Sequence, residues 1–280
     1  DLQEYKGIIV THGTDTLPFT AAALSYLFKD IDIPLVITAS NYPLGQPKSN
    51  GLRNFINSVD FIIQYSTPGV FVIFENNQGE SIVYLGTRLV QAAPFTNEFD
   101  SPYAIFYGKM INGVFFENQH PFNPSLEDLR RPRRPFDCPQ VNFSDKILYI
   151  KPVPGLNYQH YNFSKDKPRA VLHDLYHSGT ACTREEKEDG GFSLIKFIDY
   201  CYDNAVDIYI APIVGISGDI YASSRALIQR GAVPLSNISI EAALAKLMLL
   251  YGCFDDSELI KHMVNDEPLF FECLIPVNKK

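Results

Sequence analysis

Gly7-Ile8-Ile9-Val10-Thr11-His12-Gly13-Thr14-Asp15-Thr16-Leu17 (GIIVTHGTDTL) is the stretch that decides the fold. Gly7–Thr11 is a short continuous apolar run, the pattern of a buried parallel strand. A polar turn follows, and then Leu17–Phe28 (LPFTAAALSYLF) reads as a helix. Pro18 sits near its start, where a missing amide proton costs least. Outward from this unit, Pro34–Ala39 (PLVITA) is a second strand. Asn50–Ile63 carries Leu52, Phe55, Ile56, Val59 and Ile63 at helical spacing. Val70–Phe74 is a third strand, and Ser81–Leu85 reads as the second arm of a hairpin across Asn76–Glu80. Strand, helix, strand, helix, strand predicts a doubly wound α/β sheet with right-handed crossovers.

Between His120 and Pro154 prolines crowd around the basic run Arg130–Arg134, which reads as a solvated connector rather than a nucleic-acid patch. Strand and helix patterns then resume at Lys146–Lys151, Ala170–Asp174, Phe192–Tyr202, Val206–Ala211 and Ser223–Arg230. Ser239 is placed to cap a final helix that ends at Gly252. The expected organisation is a larger N-terminal doubly wound sheet domain over 1–130, a linker and first strand of the next domain over 131–168, and a smaller C-terminal α/β domain over 169–280.

The 280 residues carry 24 basic and 32 acidic side chains, a net charge of −8, which argues against a nucleic-acid partner. No apolar run approaches the roughly 20 residues of a membrane span, so no membrane partner is expected. Five cysteines at 138, 182, 201, 253 and 273 form no metal-finger spacing. The odd count predicts free thiols in a reducing compartment. The opening DLQEYKG has neither region of a signal peptide, and a cytoplasmic location is the expectation.

The chemistry concentrates at Thr11–Thr16. Open α/β sheets bind ligands beyond the carboxyl ends of their strands, and here a helix N-terminus follows at once. Gly13 allows a tight turn and close ligand approach. Asp15 offers a carboxylate for an ammonium group, and Thr14 a hydroxyl for nucleophilic attack or for holding water. The same residues could instead simply cap the helix. Thr38-Ala39-Ser40-Asn41 and Gly86–Ala92 are further polar strand-end sequences expected on the same crevice. His12 reads as a structural histidine. His173, Asp174 and His177 do not form a metal site, because a strand and turn do not converge ligands at that spacing. Cys182 and Cys201 read as structural thiols.

THGTDTL at Thr11–Leu17 resembles the second signature of the bacterial-type L-asparaginase and glutaminase family, with the overall pattern nearer its cytoplasmic type I branch. Four further segments resemble that family in order: PLVITASNYPLGQPKSNGLRNFINSV, YLGTRLVQAAPFTNEFDSP, HDLYHSGTACT, and YASSRALIQRGAVPLSNISIEAALAKLMLLYG. The resemblance covers Gly7 to Gly252. It implies hydrolysis of the side-chain amide of asparagine, or of glutamine, through a threonine nucleophile. Thr14 would then be the second catalytic threonine, and Asp15 the grip on the substrate's α-ammonium. Gly13, Ala39 and Ser40 would help bind the substrate, with a backbone carbonyl from Ser40. No metal or organic cofactor is implied, and a homodimer or homotetramer is.

Departures accompany the resemblance. The family's leading strand, ending in TGGTI and carrying its first, nucleophilic threonine, has no counterpart in this sequence; either a segment preceding residue 1 supplies it or the protein lacks that nucleophile. The family's catalytic lysine falls at Gln91, and no lysine lies between Lys48 and Lys109. Ser49-Asn50-Gly51 stands where the family has SDG. Ile213–Tyr221 is shorter than the loop that helps complete a neighbouring subunit's site. A catalytically silent binding or assembly module is the alternative, and an amidase subunit of a transamidation complex a third reading.

Overall fold

The structure is a computed structural model that describes residues 4–96, 98–133, 138, 140–184, 191–213, 220–266 and 268–275. Two compact units divide the chain: Asp1–Phe136 with Leu269–Lys280, and Asp137–Pro268. From Leu269 the chain thus rejoins the first unit rather than continuing the second.

In the first unit, β1 (Ile8–Thr11), β2 (Pro34–Thr38) and β3 (Gly69–Glu75) are parallel neighbours in that order. β4 (Ser81–Leu85), β5 (Gly108–Ile111) and β6 (Val114–Glu117) continue the sheet antiparallel. β5 and β6 were not anticipated. Their turn is Asn112-Gly113, with φ of 50° and 75°, the positive values that a two-residue hairpin turn demands. Among the described residues β1 pairs with β2 alone, and Ile8–Val10 are only partly buried. The apolar run that reads as an interior strand is here a sheet edge.

Helix α1 (Leu17–Leu27) packs Leu17 and Ala21 on the face of Leu35, Ile37, Val70 and Val72. Helix α2 (Gly51–Tyr65) packs Phe61 edge-on against Phe71, on the other face. Two crossovers that step in one direction across a sheet but lie on opposite faces have opposite hands. One of them therefore departs from the right-handed expectation, a rare arrangement.

The stripe at helical spacing on α2 does not face the sheet. Leu52, Phe55, Ile56 and Ile63 are 66%, 44%, 49% and 57% exposed, while Asn54 and Ser58 are buried. The reason lies at the strand ends. Asn54 donates to the Ala39 carbonyl (2.9 Å) and accepts from the Glu75 amide (2.8 Å), and Asn50 donates to the Glu75 carbonyl (2.9 Å). Backbone groups buried beyond two parallel strands need partners, and the helix supplies them by turning amides inward.

The basic run is no free connector. Arg131 pairs with Glu127 and Asp128 next to the short helix α3 (Leu126–Arg130). Arg133 donates to the Lys29 carbonyl and lies over the rings of Phe270 and Phe271, at 4.7 and 5.1 Å. Arg134 lies outside the described residues.

The second unit is an all-parallel sheet in the order β10 (Val233–Ser236), β9 (Asp207–Ile213), β8 (Ala170–Asp174), β7 (Ile147–Ile150). Helices α4 (Leu194–Asp203), α5 (Ala222–Gln229), α6 (Ile240–Cys253) and α7 (Ser257–Asp266) complete it. Ser239 caps α6 as read, its hydroxyl accepting from the Ala242 amide. Helix α7 was not anticipated; Ser257 and Lys261 on it bind the Asp207 carboxylate. Cys138 and Cys253 form a disulfide with Cα atoms 5.4 Å apart, which corrects the expectation of free thiols throughout. Residues 214–219 of the short Ile213–Tyr221 segment lie outside the described residues. Among the described residues no helix is long and apolar enough to cross a membrane.

His173 sits fully buried in this unit, its Nε2 2.8 Å from the Tyr158 hydroxyl. Burial pushes its pKa down to about 4, whereas an unfolded histidine titrates near ~6.5. Between those values the unfolded chain holds the extra proton. Stability should therefore fall as pH is lowered through this window, by up to about 1.4 kcal/mol per unit. His173→Gln keeps a side-chain partner for Tyr158 and removes the titration. Urea midpoints at pH 7 and pH 5 should converge in the variant relative to the parent; equal slopes would show that His173 is not the group responsible.

Candidate functional site

Parallel pairing sets the site. Thr11 lies opposite Thr38, and the His12 amide donates to the Thr38 carbonyl at 2.9 Å. Gly13-Thr14-Asp15 and Ala39-Ser40 therefore leave the sheet side by side at one edge. Asn54 holds the Ala39 carbonyl from below, so the backbone beyond β2 is fixed by a buried side chain.

His12 braces the turn. Its Nδ1 donates to the Gly13 carbonyl (2.7 Å), which leaves Nε2 to accept from the Thr20 hydroxyl (3.1 Å). Both ring nitrogens are thus used, in keeping with a structural role. Thr20 went unnoticed in the sequence; its place one turn into α1, facing back to the strand end, is what recruits it.

Thr16 occupies the N-cap of α1 and makes no side-chain capping bond. Neither the Thr14 hydroxyl nor the Asp15 carboxylate has a hydrogen bond or ion pair to any described residue. Thr14 is half-buried and Asp15 is exposed. Gly13 is not held in a left-handed conformation, and a Cβ there would meet nothing within 4 Å. The turn itself does not require glycine, and what Gly13 leaves is open space beside Thr14.

Gln91 reaches this turn: its Nε2 donates to the Asp15 carbonyl at 3.0 Å. The route is not the expected one. β4 is antiparallel, so Gly86 begins at the opposite edge of the sheet, with Leu85 paired to Phe71. The chain then runs back beside α1, where a Cβ on Gly86 would meet Ser25 and Ala21. Thr87 and Arg88 are buried on this path, away from the rim, and Gln91 arrives at it.

Ser40 turns its hydroxyl into its own loop, to the Tyr42 carbonyl (2.5 Å) and the Ser49 hydroxyl (2.8 Å). Its side chain is thereby committed, and its contribution to a ligand would be through the backbone. Asn50 explains the amide that stands for an acid in Ser49-Asn50-Gly51. Its Nδ2 donates to the Glu75 carbonyl while its Oδ1 accepts from the Asn41 amide, and Asn41 Oδ1 accepts from the Asn50 amide. A carboxylate could not make the donated bond. Asn50 and Asn54 lie i, i+4 on one helical face, a signal in the sequence that went unread.

These features describe a two-sheet α/β protein with a polar rim at the carboxyl ends of parallel strands. Comparison with known proteins shows what the chain is similar to: residues 1–121 match the asparaginase N-terminal domain, and L-asparaginases and glutamyl-tRNA(Gln) amidotransferase subunits are similar to it along most of its length. The chain is 26% identical to the L-asparaginase of Thermococcus kodakarensis over 266 residues, 93% of this chain and 74% of that one. It is 25% identical to a glutamyl-tRNA(Gln) amidotransferase subunit from Methanococcus maripaludis over 273 residues, spanning 93% of this chain but 61% of that protein's length. In fold it matches the structure of the thermostable L-asparaginase from Thermococcus kodakarensis with a TM-score of 0.76, at 24% identity, covering 97% of this chain and 77% of that one.

Proposed function

We infer that the rim of the first unit binds an amino acid and hydrolyses its side-chain amide, with asparagine as substrate and glutamine as a close relative. One observation carries this. His12, Thr20, Ser40, Asn41, Asn50 and Gln91 all engage neighbours in the unit, while the Thr14 hydroxyl and Asp15 carboxylate engage none among the described residues. A half-buried hydroxyl beside an uncommitted acid, neither serving as a helix cap, is a ligand-facing pair. Asp15 would hold the α-ammonium of the amino acid, and a charge-matched carboxylate selects amino acids over plain amides. Thr14, as the second catalytic threonine, would supply the hydroxyl that orients the attacking water. Ammonia leaves and water then completes the hydrolysis. The backbone at Ala39 and Ser40 would position the amide.

A second reading has its own support. Gln91 is neutral and tethers the Asp15 carbonyl, so this position brings no positive charge to the side of Thr14. On that reading the rim binds the amino acid without turnover. Ammonia release and binding, measured separately on asparagine and glutamine, divide the two: binding without release favours the module, and neither would sink both. Gln91→Lys is expected to raise turnover on asparagine at least tenfold, about the effect of one cation near a developing charge. An unchanged rate would remove the role assigned to this position.

The partner in either case is a small amino acid. The exposed stripe of Leu52, Phe55, Ile56 and Ile63 supports self-association, consistent with a homodimer or homotetramer. For the compartment, the Cys138–Cys253 bond favours oxidising surroundings over the cytoplasm.

A further inference from the structure

The second unit has an opening of its own. Its four strands are parallel, so their carboxyl ends share one edge, where open α/β sheets bind ligands. A cleft of about 440 Å³ lies beyond the ends of β7 and β8, within the ~300–1,000 Å³ of small-molecule pockets. One side is the Pro152–Leu156 loop that follows β7; the other is Tyr176, Cys182 and Arg184 after β8, with Phe192 ahead of α4. The rings of Tyr158, Tyr176 and Phe192, with Pro154, give it flat apolar walls.

Its cationic group, Arg184, is uncommitted among the described residues. Arg53, Arg131, Arg169 and Arg230 are each held by a carboxylate. Arg184 is exposed and makes no ion pair or hydrogen bond to a described residue. The acidic run that follows it lies outside the described residues. The Tyr158 hydroxyl is fixed by buried His173 and keeps a lone pair to accept one further bond. A single planar guanidinium matches one carboxylate bidentately, whereas a phosphate ordinarily recruits several donors.

We propose that this cleft binds a small carboxylate bearing an aromatic ring, the ring against Tyr158, Tyr176 and Phe192 and the carboxylate on Arg184. None of these residues takes part in the amide-hydrolysis reading, so the two stand or fall separately.

Calorimetric titration of the full chain with 3-phenylpropanoate, 3-phenylpropanamide and propanoate tests it. The aromatic acid should bind saturably, with the amide and the ringless acid each weaker by about tenfold or more, the scale of a charge-assisted bond and of a buried ring. Arg184→Gln should bring the acid down to the affinity of the amide and leave the amide unchanged, while Arg184→Lys keeps part of the preference. Cys182, a free exposed thiol in the same wall, should be alkylated more slowly by iodoacetamide when the acid is bound, as read by peptide mass spectrometry. Equal affinity for acid and amide, an Arg184→Gln variant that binds like the parent, or no saturable binding of the acid would each overturn the proposal.

Discussion

Asp15→Asn is expected to weaken asparagine binding by about 10- to 100-fold, and Thr14→Val to leave binding nearly intact while removing turnover. The first figure follows from losing a charge-assisted contact of about 1.5–3 kcal/mol, at ~1.4 kcal/mol per tenfold. Asp15 is exposed, so the full Coulomb attraction of a dry site does not operate, and the lower end applies at high salt. For Thr14→Val the loss in kcat should reach at least about a hundredfold, because valine removes the hydroxyl that orients the reacting water. Thr14→Ser should retain activity. The helix-cap reading makes the opposite forecast: Asp15→Asn and Thr16→Ala would then cost stability, up to about 2 kcal/mol, and leave ligand binding alone. Calorimetric binding, ammonia release and urea midpoints on the three variants separate these outcomes. Thr16 makes no side-chain capping bond, so Thr16→Ala should change none of the three.

What could be read in advance, and what could not, follows from the kind of information each feature needs. Strand β4 and strand β8 fall where their alternating or continuous apolar runs stand, and Ser239 caps its helix, because each depends on residues adjacent in the chain. The hairpin turn at Asn112-Gly113 carried an equally local signal. The orientation of α2 did not. Apolar spacing identifies a helix with an apolar face, but Asn50 and Asn54 point inward because unpaired strand-end backbone at Ala39 and Glu75 needs partners, and those lie more than ten residues away. The hand of a crossover is a property of which face a helix chooses, which the same apolar pattern leaves open. The Cys138–Cys253 bond spans 115 residues, and cysteine spacing alone does not pair such partners. At the candidate site, Gln91 donates to the Asp15 carbonyl from a segment that reaches the turn by running back beside α1. The direction of the Ser40 hydroxyl, into its own loop, had no local signal.

Arg88→Met is expected to destabilise the first unit by about 3–5 kcal/mol, the cost of deleting one partner of a buried charged network. The residue lies in the segment between β4 and Gln91, yet its work is far from the rim. Its side chain is fully buried, and Nε donates to the Phe271 carbonyl at 2.6 Å while a terminal nitrogen donates to the Phe122 carbonyl at 2.8 Å. Thr87 adds a bond to the Phe270 carbonyl. Burial lowers the Arg88 pKa to about 10, and the nearby Glu272 carboxylate opposes that shift. Glu272 is itself fully buried and accepts from the amides of Leu269 and Phe270. The segment from Leu269 onward is thus fastened to the first unit by the Arg88 bonds, beside the Arg133 guanidinium over Phe270 and Phe271, with Glu272 folding the segment on itself. Methionine fills similar space but leaves carbonyls without donors and takes from Glu272 one of the two arginines near it among the described residues. Thermal melts should fall by on the order of 10 °C. Arg88→Lys, with charge but no planar fork, should recover only part of the loss. The decisive measurement is a double-mutant cycle with Glu272→Gln: if the pair acts as a unit, removing both charges should cost less than the sum of the single variants, by about 1 kcal/mol or more. Additive losses would mean that Arg88 serves the carbonyls alone, and a loss below about 1 kcal/mol for Arg88→Met would mean that the returning segment is not anchored through it.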